Sequence, residues 1–396
     1  MSGAGGREYL AIPGPSVMPE AVLRAMHRSA PNIYAGELPD MMPALIAGLK
    51  GVARTHQFAT IYIGNGHAAW EAALSNIVSP GDTVLGVMNG HFGRGWAHVA
   101  AGLGVGVLPL DCGLKAPVTG EALEAALRAD RAGKIKAVLC THVDTSTSVK
   151  NDIALVRQAI DAAGHDALLA VDCIASLGCD VFEMDAWGVD VMVAASQKGL
   201  MVPPGLGFVF FSEKAARARA RMARVSLYWD WTPRATPEAF WQYFAGTAPT
   251  HHLYGLQAAL GMLHSEGMEA VWARHEKLAR AIWAACETWG EGGPLTLNVP
   301  EVAHRSTAVT ALHIGKNVGK RLRMWTEDEA GVTLGIGLGM STEDDPLGDG
   351  FFRIGHMGHV NAQMIMGALG SIEAGFAALN VPRGAGALDA AAQRLA

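Results

Sequence analysis

The sequence has little that would staple it, anchor it or draw it to a large charged partner. Its five cysteines, at positions 112, 140, 173, 179 and 286, form no Cys-x-x-Cys pair, and their number is odd. A disulfide framework and a structural zinc site are therefore not expected, no metal site is expected, and a reducing compartment is the default. No apolar run approaches the roughly 18 residues that a membrane helix needs. The opening Met1-Ser-Gly-Ala-Gly-Gly-Arg-Glu8 has no apolar stretch of the signal-peptide kind. The expectation is a cytoplasmic chain without a membrane partner. Basic residues are not in surplus: 31 Lys and Arg stand against 37 Asp and Glu, a formal net charge of −6. That balance argues against nucleic acid, and the basic run between Arg217 and Arg224 reads as a solvated helix face.

What is present is apolar and regularly spaced. Half of the 396 residues are hydrophobic, enough for a large core and more than one domain. Thr60–Ile63, Thr83–Met88, Ala137–His142, Ala167–Asp172 and Val189–Ala194 read as short strands separated by helical stretches. Such alternation predicts an α/β fold with a mainly parallel sheet covered on both faces. A long helical region follows from about Leu253 to Trp289. Beyond it the texture changes, with strands at Thr310–Ile314 and Phe351–Gly355, a glycine-rich Gly335–Gly339 that reads as a mobile loop, a final helix and a frayed tail. The expected division is an N-terminal segment at the active site (1–15), a large cofactor domain (16–265) and a smaller C-terminal α+β domain (266–396).

Ligands collect where the strands of such sheets end. Gly64-Asn-Gly-His67 joins a strand to a helix start, where unpaired N–H groups and the helix dipole favour an anion. The same stretch also fits a loose Gly-x-Gly-x-x-Ala dinucleotide pattern, with Asp82 downstream, or an ordinary tight turn. Asp172 ends a strand, as a helix cap would. Lys198 lies 26 residues later, after the next strand, and is the one charge in the stretch Val193–Phe211. A parallel crossover brings Asp172 and Lys198 to the same sheet edge. Pyridoxal phosphate asks for this set: a lysine for its Schiff base, an acid on its ring nitrogen and an anion site for its phosphate. An apolar setting also keeps a lysine amine neutral and nucleophilic.

Further segments run in order along nearly the whole chain. They are Pro13-Gly-Pro15, Gly66-His67, Thr141-His142 with Thr145-Ser-Thr147, Val171-Asp172, Ser196-Gln-Lys198-Gly with Pro203-Pro-Gly205, and Phe352-Arg-Ile-Gly-His-Met-Gly358. With these the sequence resembles the class V, fold-type I pyridoxal-phosphate-dependent aminotransferases, and within them the alanine–glyoxylate and serine–glyoxylate enzymes. The resemblance implies a large domain with a mainly parallel seven-stranded sheet and a smaller C-terminal domain. It implies that Lys198 bonds the cofactor, that Asp172 pairs with the ring nitrogen and that Thr145 lies beside the ring hydroxyl. Gly66, His67 and Gln197 would hold the phosphate, and Phe92 would stack on the ring. Thr247 would reach the phosphate of a neighbouring subunit, implying a homodimer with composite sites. Arg353 would clamp the substrate carboxylate, with Gly14 against the substrate.

Some positions depart from the family pattern. Phe92 stands where tryptophan is common, Asn65 where serine is frequent, and Phe244 in place of a phosphate-contacting tyrosine. Asn32-Ile-Tyr34 differs from the His-Arg-containing segment of many glyoxylate enzymes. The expected reaction is ping-pong transamination from serine, alanine or aspartate to glyoxylate or another small 2-oxo acid. The alternatives are a pyridoxamine–pyruvate-type transaminase, a nicotinamide-dependent dehydrogenase built on Gly64-x-Gly66, and a non-catalytic protein that has kept the fold. A cysteine desulfurase is disfavoured, because no cysteine falls in the late loop near Arg353.

Overall fold

The structure, a computed structural model, describes residues 5–396. Apolar, β-branched runs form the strands β1 (Tyr9–Ala11), β2 (Phe58–Gly64), β3 (Thr83–Met88), β4 (Gly106–Asp111), β5 (Ile135–Thr141) and β6 (Leu168–Asp172). They continue with β7 (Val191–Ala195), β8 (Gly205–Phe211), β9 (Thr296–Leu297), β10 (Val309–His313), β11 (Val332–Ile336) and β12 (Phe351–Gly355). The large sheet has seven strands in the order β2-β8-β7-β6-β5-β3-β4. β3 to β7 pair in parallel, whereas β8 runs antiparallel to both β7 and β2. Every residue of β6 and β7 is buried, as expected for parallel strands covered by helices on both faces.

The β7–β8 hairpin fixes the stretch that carries Lys198. Ser196 Oγ donates to the Pro203 carbonyl at 2.7 Å and accepts from the Leu206 amide at 3.2 Å. The Val202 amide returns to the Ser196 carbonyl at 3.0 Å. Pro203-Pro204-Gly205 thus closes a loop that projects Gln197 and Lys198 beyond the sheet edge, where the parallel strand β6 delivers Asp172.

A smaller sheet has the order β1-β11-β12-β10-β9. The N-terminal strand β1 lies on its edge, parallel to β11. Two apolar cores follow: one under the large sheet reaches Trp272, and the other begins at Leu278, takes in Ala11 and fills the small domain. The changeover falls within the helix Met268–Glu291, between Trp272 and Leu278. The expected helix from Leu253 to Trp289 is two helices, Thr250–Glu266 and Met268–Glu291, parted by Gly267 at φ 84°. No described helix is long and apolar enough to cross a membrane.

Two sequence-based expectations need correcting. The tail is not frayed: Ala387–Leu395 is a helix whose Ala387 and Ala391, four residues apart, are buried in the second core. Gly335 and Ile336 belong to β11 and pair with Arg353 and Phe352 of β12, so this part of the glycine-rich segment is a strand and not a loop.

Candidate active site

A cavity of about 220 Å³ opens at the strand ends. Gly66, His67, Phe92, Thr145, Asp172, Gln197 and Lys198 all line it, so the chain brings these together, whereas Gly14, Thr247 and Arg353, also singled out in the sequence, are not among its lining residues. Asn65 lines it too, and its Oδ1 accepts from the amides of His67 at 3.1 Å and Ala68 at 3.3 Å. Asn65 therefore caps the helix Gly66–Ile77, using donors an anion would also seek. Gly66 sits close against Ile174, and a Cβ there would run into that side chain.

Asp172 is 3% exposed. Its Oδ2 accepts from Trp70 Nε1 at 2.9 Å and its Oδ1 from the Ile174 amide at 2.7 Å. Burial pushes its carboxyl up to about 7, while these two N–H groups pull it back. Lys198 is part-buried, and its amine is drawn down to about 8, first by loss of water and then by the Arg353 charge. Lys198 Nζ donates to the Pro13 carbonyl. Ser16 ties the N-terminal segment to the same loop, its amide to the Gln197 carbonyl at 2.8 Å and its Oγ to the Lys198 carbonyl at 2.7 Å. Gly14, at φ 113°, passes so close that a Cβ would overlap the Lys198 amine.

Arg353 is 6% exposed on β12. Its Nε donates to the Ile336 carbonyl at 2.7 Å and its Nη1 to the Thr145 carbonyl at 3.0 Å. It forms no ion pair among the described residues. Asp349 pairs instead with Lys320 and Arg323, and Asp345 accepts the amides of Asp349 and Gly350. Burial lowers the guanidinium to about 10, partly offset by Asp144.

Other conspicuous residues are structural. His356 bridges Thr310 Oγ1 and the Thr307 carbonyl, both at 2.9 Å. His251 and His252 bond the carbonyls of Arg28 and Pro204. Asp82 caps its own turn at the Ser79 amide, which removes the ribose-binding role the dinucleotide pattern gave it. Phe244 is 1% exposed in the main core, so its ring does not face the cavity. Thr247 is exposed and does not line this chain's cavity.

Two neighbours escaped the sequence reading. Trp70 sits four residues into the helix that starts at Gly66 and gives Asp172 its indole N–H. Asp144 is fully buried, and its Oδ2 accepts from the amides of Phe92 at 2.9 Å and Gly93 at 3.0 Å. It caps the helix His91–Gly102 that carries Phe92. The available signal for Asp144 was an acid adjoining Thr145; nothing in the sequence marks Trp70.

These residues fit pyridoxal phosphate. Asp172 is a buried carboxylate held by neutral donors, ready for a cationic partner. Gln197 Oε1 is buried without a partner among the described residues, so one end of that amide awaits a ligand. Gly66 and His67, at the start of the helix Gly66–Ile77, line the cavity, where the positive end of the helix dipole favours an anion.

Comparison with known proteins gives the same answer. A solved ureidoglycine–glyoxylate aminotransferase from Bacillus subtilis superposes with a TM-score of 0.88 at 25% identity, covering 99% of this chain and 98% of that one. The scaffold is that of the fold-type I pyridoxal-phosphate enzymes. The family described as aminotransferase class-V matches residues 44–338. A serine–glyoxylate aminotransferase from Methylorubrum extorquens is 35% identical over 376 residues, 93% of this chain and 90% of that protein. An L-aspartate–glyoxylate aminotransferase from Paracoccus denitrificans is 36% identical over 389 residues, 96% and 94% of the respective chains. The chain belongs to the class-V aminotransferase family and is a pyridoxal-phosphate-dependent transaminase.

Proposed function

We propose that this transaminase moves the amino group of a small amino acid, such as serine, alanine or aspartate, to glyoxylate or another small 2-oxo acid by a ping-pong cycle. The observation that carries the reading is Arg353: a buried guanidinium without a carboxylate partner among the described residues, bonded to the carbonyl of cavity-lining Thr145. A planar fork with N–H groups to spare is suited to an α-carboxylate. The names of the relatives support glyoxylate as acceptor.

When bound, pyridoxal phosphate supplies a carbonyl that condenses with amines and a cationic ring that withdraws electrons from the substrate Cα. In our reading Asp172 holds the proton on the ring nitrogen. Lys198 would carry the proton from the substrate Cα as a neutral amine, a state favoured by its depressed pKa. Gly66, His67 and Gln197 would hold the cofactor phosphate, Phe92 would cover its ring, and Thr145 would serve the ring hydroxyl. Gly14 and Pro13 close the substrate side.

A screen of amino donors against 2-oxo acids tests this reading. Turnover should be greatest with a small amino acid and glyoxylate. Preference for pyridoxamine and pyruvate would move the chain to the alternative activity. Borohydride reduction of the loaded protein, followed by peptide mapping, should find the cofactor on Lys198.

A homodimer with shared sites is part of the proposal, supported by the exposed Thr247. Mixing inactive Lys198→Ala with a bulky inactive Thr247 variant should restore some activity through hybrid dimers. No recovery despite subunit exchange would assign Thr247 to its own subunit's site. We also infer a cytoplasmic setting, supported by five free thiols.

A further inference from the structure

The stretch from Arg353 to Gly358 touches three parts of the candidate site. Arg353 donates to the Thr145 carbonyl, and Gly355 packs so closely on Ile12 that a Cβ would overlap its carbonyl. Gly358, at φ 78°, lies against the lysine loop. A Cβ there would come within 3.0 Å of Met201 Cγ, 3.3 Å of the Lys198 carbonyl oxygen and 3.5 Å of Ser16 Oγ. That same carbonyl accepts from Ser16 Oγ at 2.7 Å and from the Met201 amide at 3.0 Å. The Lys198 backbone is thus boxed in by the N-terminal segment, its own loop and the Gly358 turn.

The helix Met268–Glu291, which runs between the two cores, holds the Gly358 turn. Arg274 Nη1 donates to the carbonyls of Gly358 at 3.1 Å and Val360 at 3.0 Å, while its Nε and Nη2 are taken by Glu266. From the next residue, His275 Nε2 accepts the Gly358 amide at 3.0 Å. The Val271 carbonyl, 2.7 Å from His275 Nδ1, can only accept. One tautomer alone satisfies both partners, with the proton on Nδ1 and the lone pair on Nε2.

His275 is fully buried, and burial draws its imidazole down to about 4, so the ring keeps that lone pair near neutral pH. The charged groups acting on it are Arg274 and Glu266, which pair with each other, and buried Asp180. The neighbouring imidazole of His356 is held neutral as well, its two nitrogens taken by Thr310 and Thr307.

A core histidine with both nitrogens satisfied ordinarily serves packing alone. Here the donor it accepts belongs to a glycine in a backbone region that disfavours side chains, and that glycine abuts the Lys198 peptide. We propose that His275 is a positioning residue for the transamination: by accepting the Gly358 amide it fixes the Gly358 turn on the lysine loop and sets how deeply Lys198 sits. This rests on the reading of Lys198 as the cofactor lysine. Depth matters because burial is the main cause that draws the Lys198 amine down; the Arg353 charge adds to it, and Asp172 and Cys179 oppose it.

The test reads the Lys198 amine itself. Cofactor-free, full-length protein is labelled with trace acetic anhydride between about pH 6 and 11, and the Lys198 peptide is quantified by mass spectrometry. His275→Met removes the acceptor and keeps an apolar side chain, whereas His275→Gln places an amide oxygen where Nε2 stood. In His275→Met the labelling midpoint should rise by about half a unit or more toward the ordinary lysine range, and cofactor loading near neutral pH should slow by roughly threefold. His275→Gln should restore both. Arg274→Met loosens the same turn from its half-exposed side, so it should move the midpoint the same way, and it carries the test where His275→Met does not fold. Trp289→Phe, which loses the indole bond to Glu373 in the small-domain core, should lower the melting temperature without moving the midpoint. An unmoved midpoint or unslowed loading in His275→Met would overturn the proposal, as would an equal shift in His275→Gln or in Trp289→Phe. Borohydride mapping decides the reading of Lys198 separately, and the labelling needs no cofactor, so the two can fail independently.

Discussion

The indole of Trp70 donates to Asp172 Oδ2 at 2.9 Å, inside a stack in which Trp70 lies 6.2 Å from Trp96. A buried carboxylate that has risen to about 7 stays ionisable near neutrality because such donors favour its charged form. Trp70→Phe keeps an aromatic ring and removes the donor. The Asp172 carboxyl should rise further and release more of its hold on the ring cation. Cofactor affinity should fall by roughly tenfold, the scale of one hydrogen bond to a charge. Titration of cofactor-free protein measures it. An unchanged affinity with a lowered melting temperature would make Trp70 a packing residue only.

As the proposed Schiff-base lysine, Lys198 should set the pH dependence of cofactor loading. Burial and the Arg353 charge draw its amine down to about 8, and it attacks a carbonyl only when neutral. The rate of reloading should therefore rise with pH through about 8 and level off above it. The folded pKa lies below the unfolded one, so the unfolded chain binds more protons between them. Lys198 accordingly adds stability as pH rises from about 8 toward the ordinary lysine value of 10.5. A loading rate that is flat from about pH 6.5 to 9.5 would show that the amine enters already neutral.

Arg353 has two duties that one substitution can separate. Its fork donates to Ile336 and Thr145 carbonyls, tying a small-domain strand to the loop after β5, and it is the proposed carboxylate clamp. Arg353→Lys cannot keep both bonds and a bidentate grip. Melting temperature should fall by a few degrees, and kcat/KM for amino acids by roughly ten- to a hundredfold. An amine substrate without the α-carboxylate should lose far less. Equal losses for both substrate classes would confine Arg353 to the structural duty.

Asp144 holds Phe92 from behind. Its carboxylate accepts from the Phe92 and Gly93 amides and from the amide and hydroxyl of Ser146. Asp144→Asn leaves one oxygen to serve what two served, at a cost of about 1–3 kcal/mol. The expected result is a lower melting temperature together with a weaker hold on the cofactor. If both are unchanged, the cap is dispensable.

Strand-end chemistry was legible because it rests on local signals. Apolar runs give β5, β6 and β7, and a run of parallel strands must deliver its ends to one edge, so Asp172 and Lys198 meet whatever the rest of the chain does. Contacts that depend on a chain crossing from elsewhere were less legible. The reach of Pro13 and Gly14 to Lys198 follows from β1 joining the distant β11, and residues 9–11 alone are too short to announce a strand. β4 was missed because Pro109 and exposed residues break its apolar pattern at the sheet edge. The final helix Ala387–Leu395 was missed because alanine-rich turns say helix only when a partner buries one face, here the helix Met268–Glu291.

Gly14 tests whether the N-terminal crossing serves the chemistry or only the fold. It stands at φ 113°, a backbone region that disfavours any side chain, and a Cβ would overlap the Lys198 amine. Two effects therefore add in Gly14→Ala. The backbone strain costs about 1–3 kcal/mol and appears in the melting temperature of the cofactor-free protein. The overlap displaces Lys198 and appears in loading, which should slow by more than the stability loss accounts for. A control with similar strain away from the site, Gly267→Ala at φ 84° with open space around it, should reproduce the first effect and not the second. If both variants melt lower and load alike, the Gly14 crossing is a structural tie. A loading defect in Gly14→Ala alone means that the close approach of Gly14 to Lys198 is part of the working site.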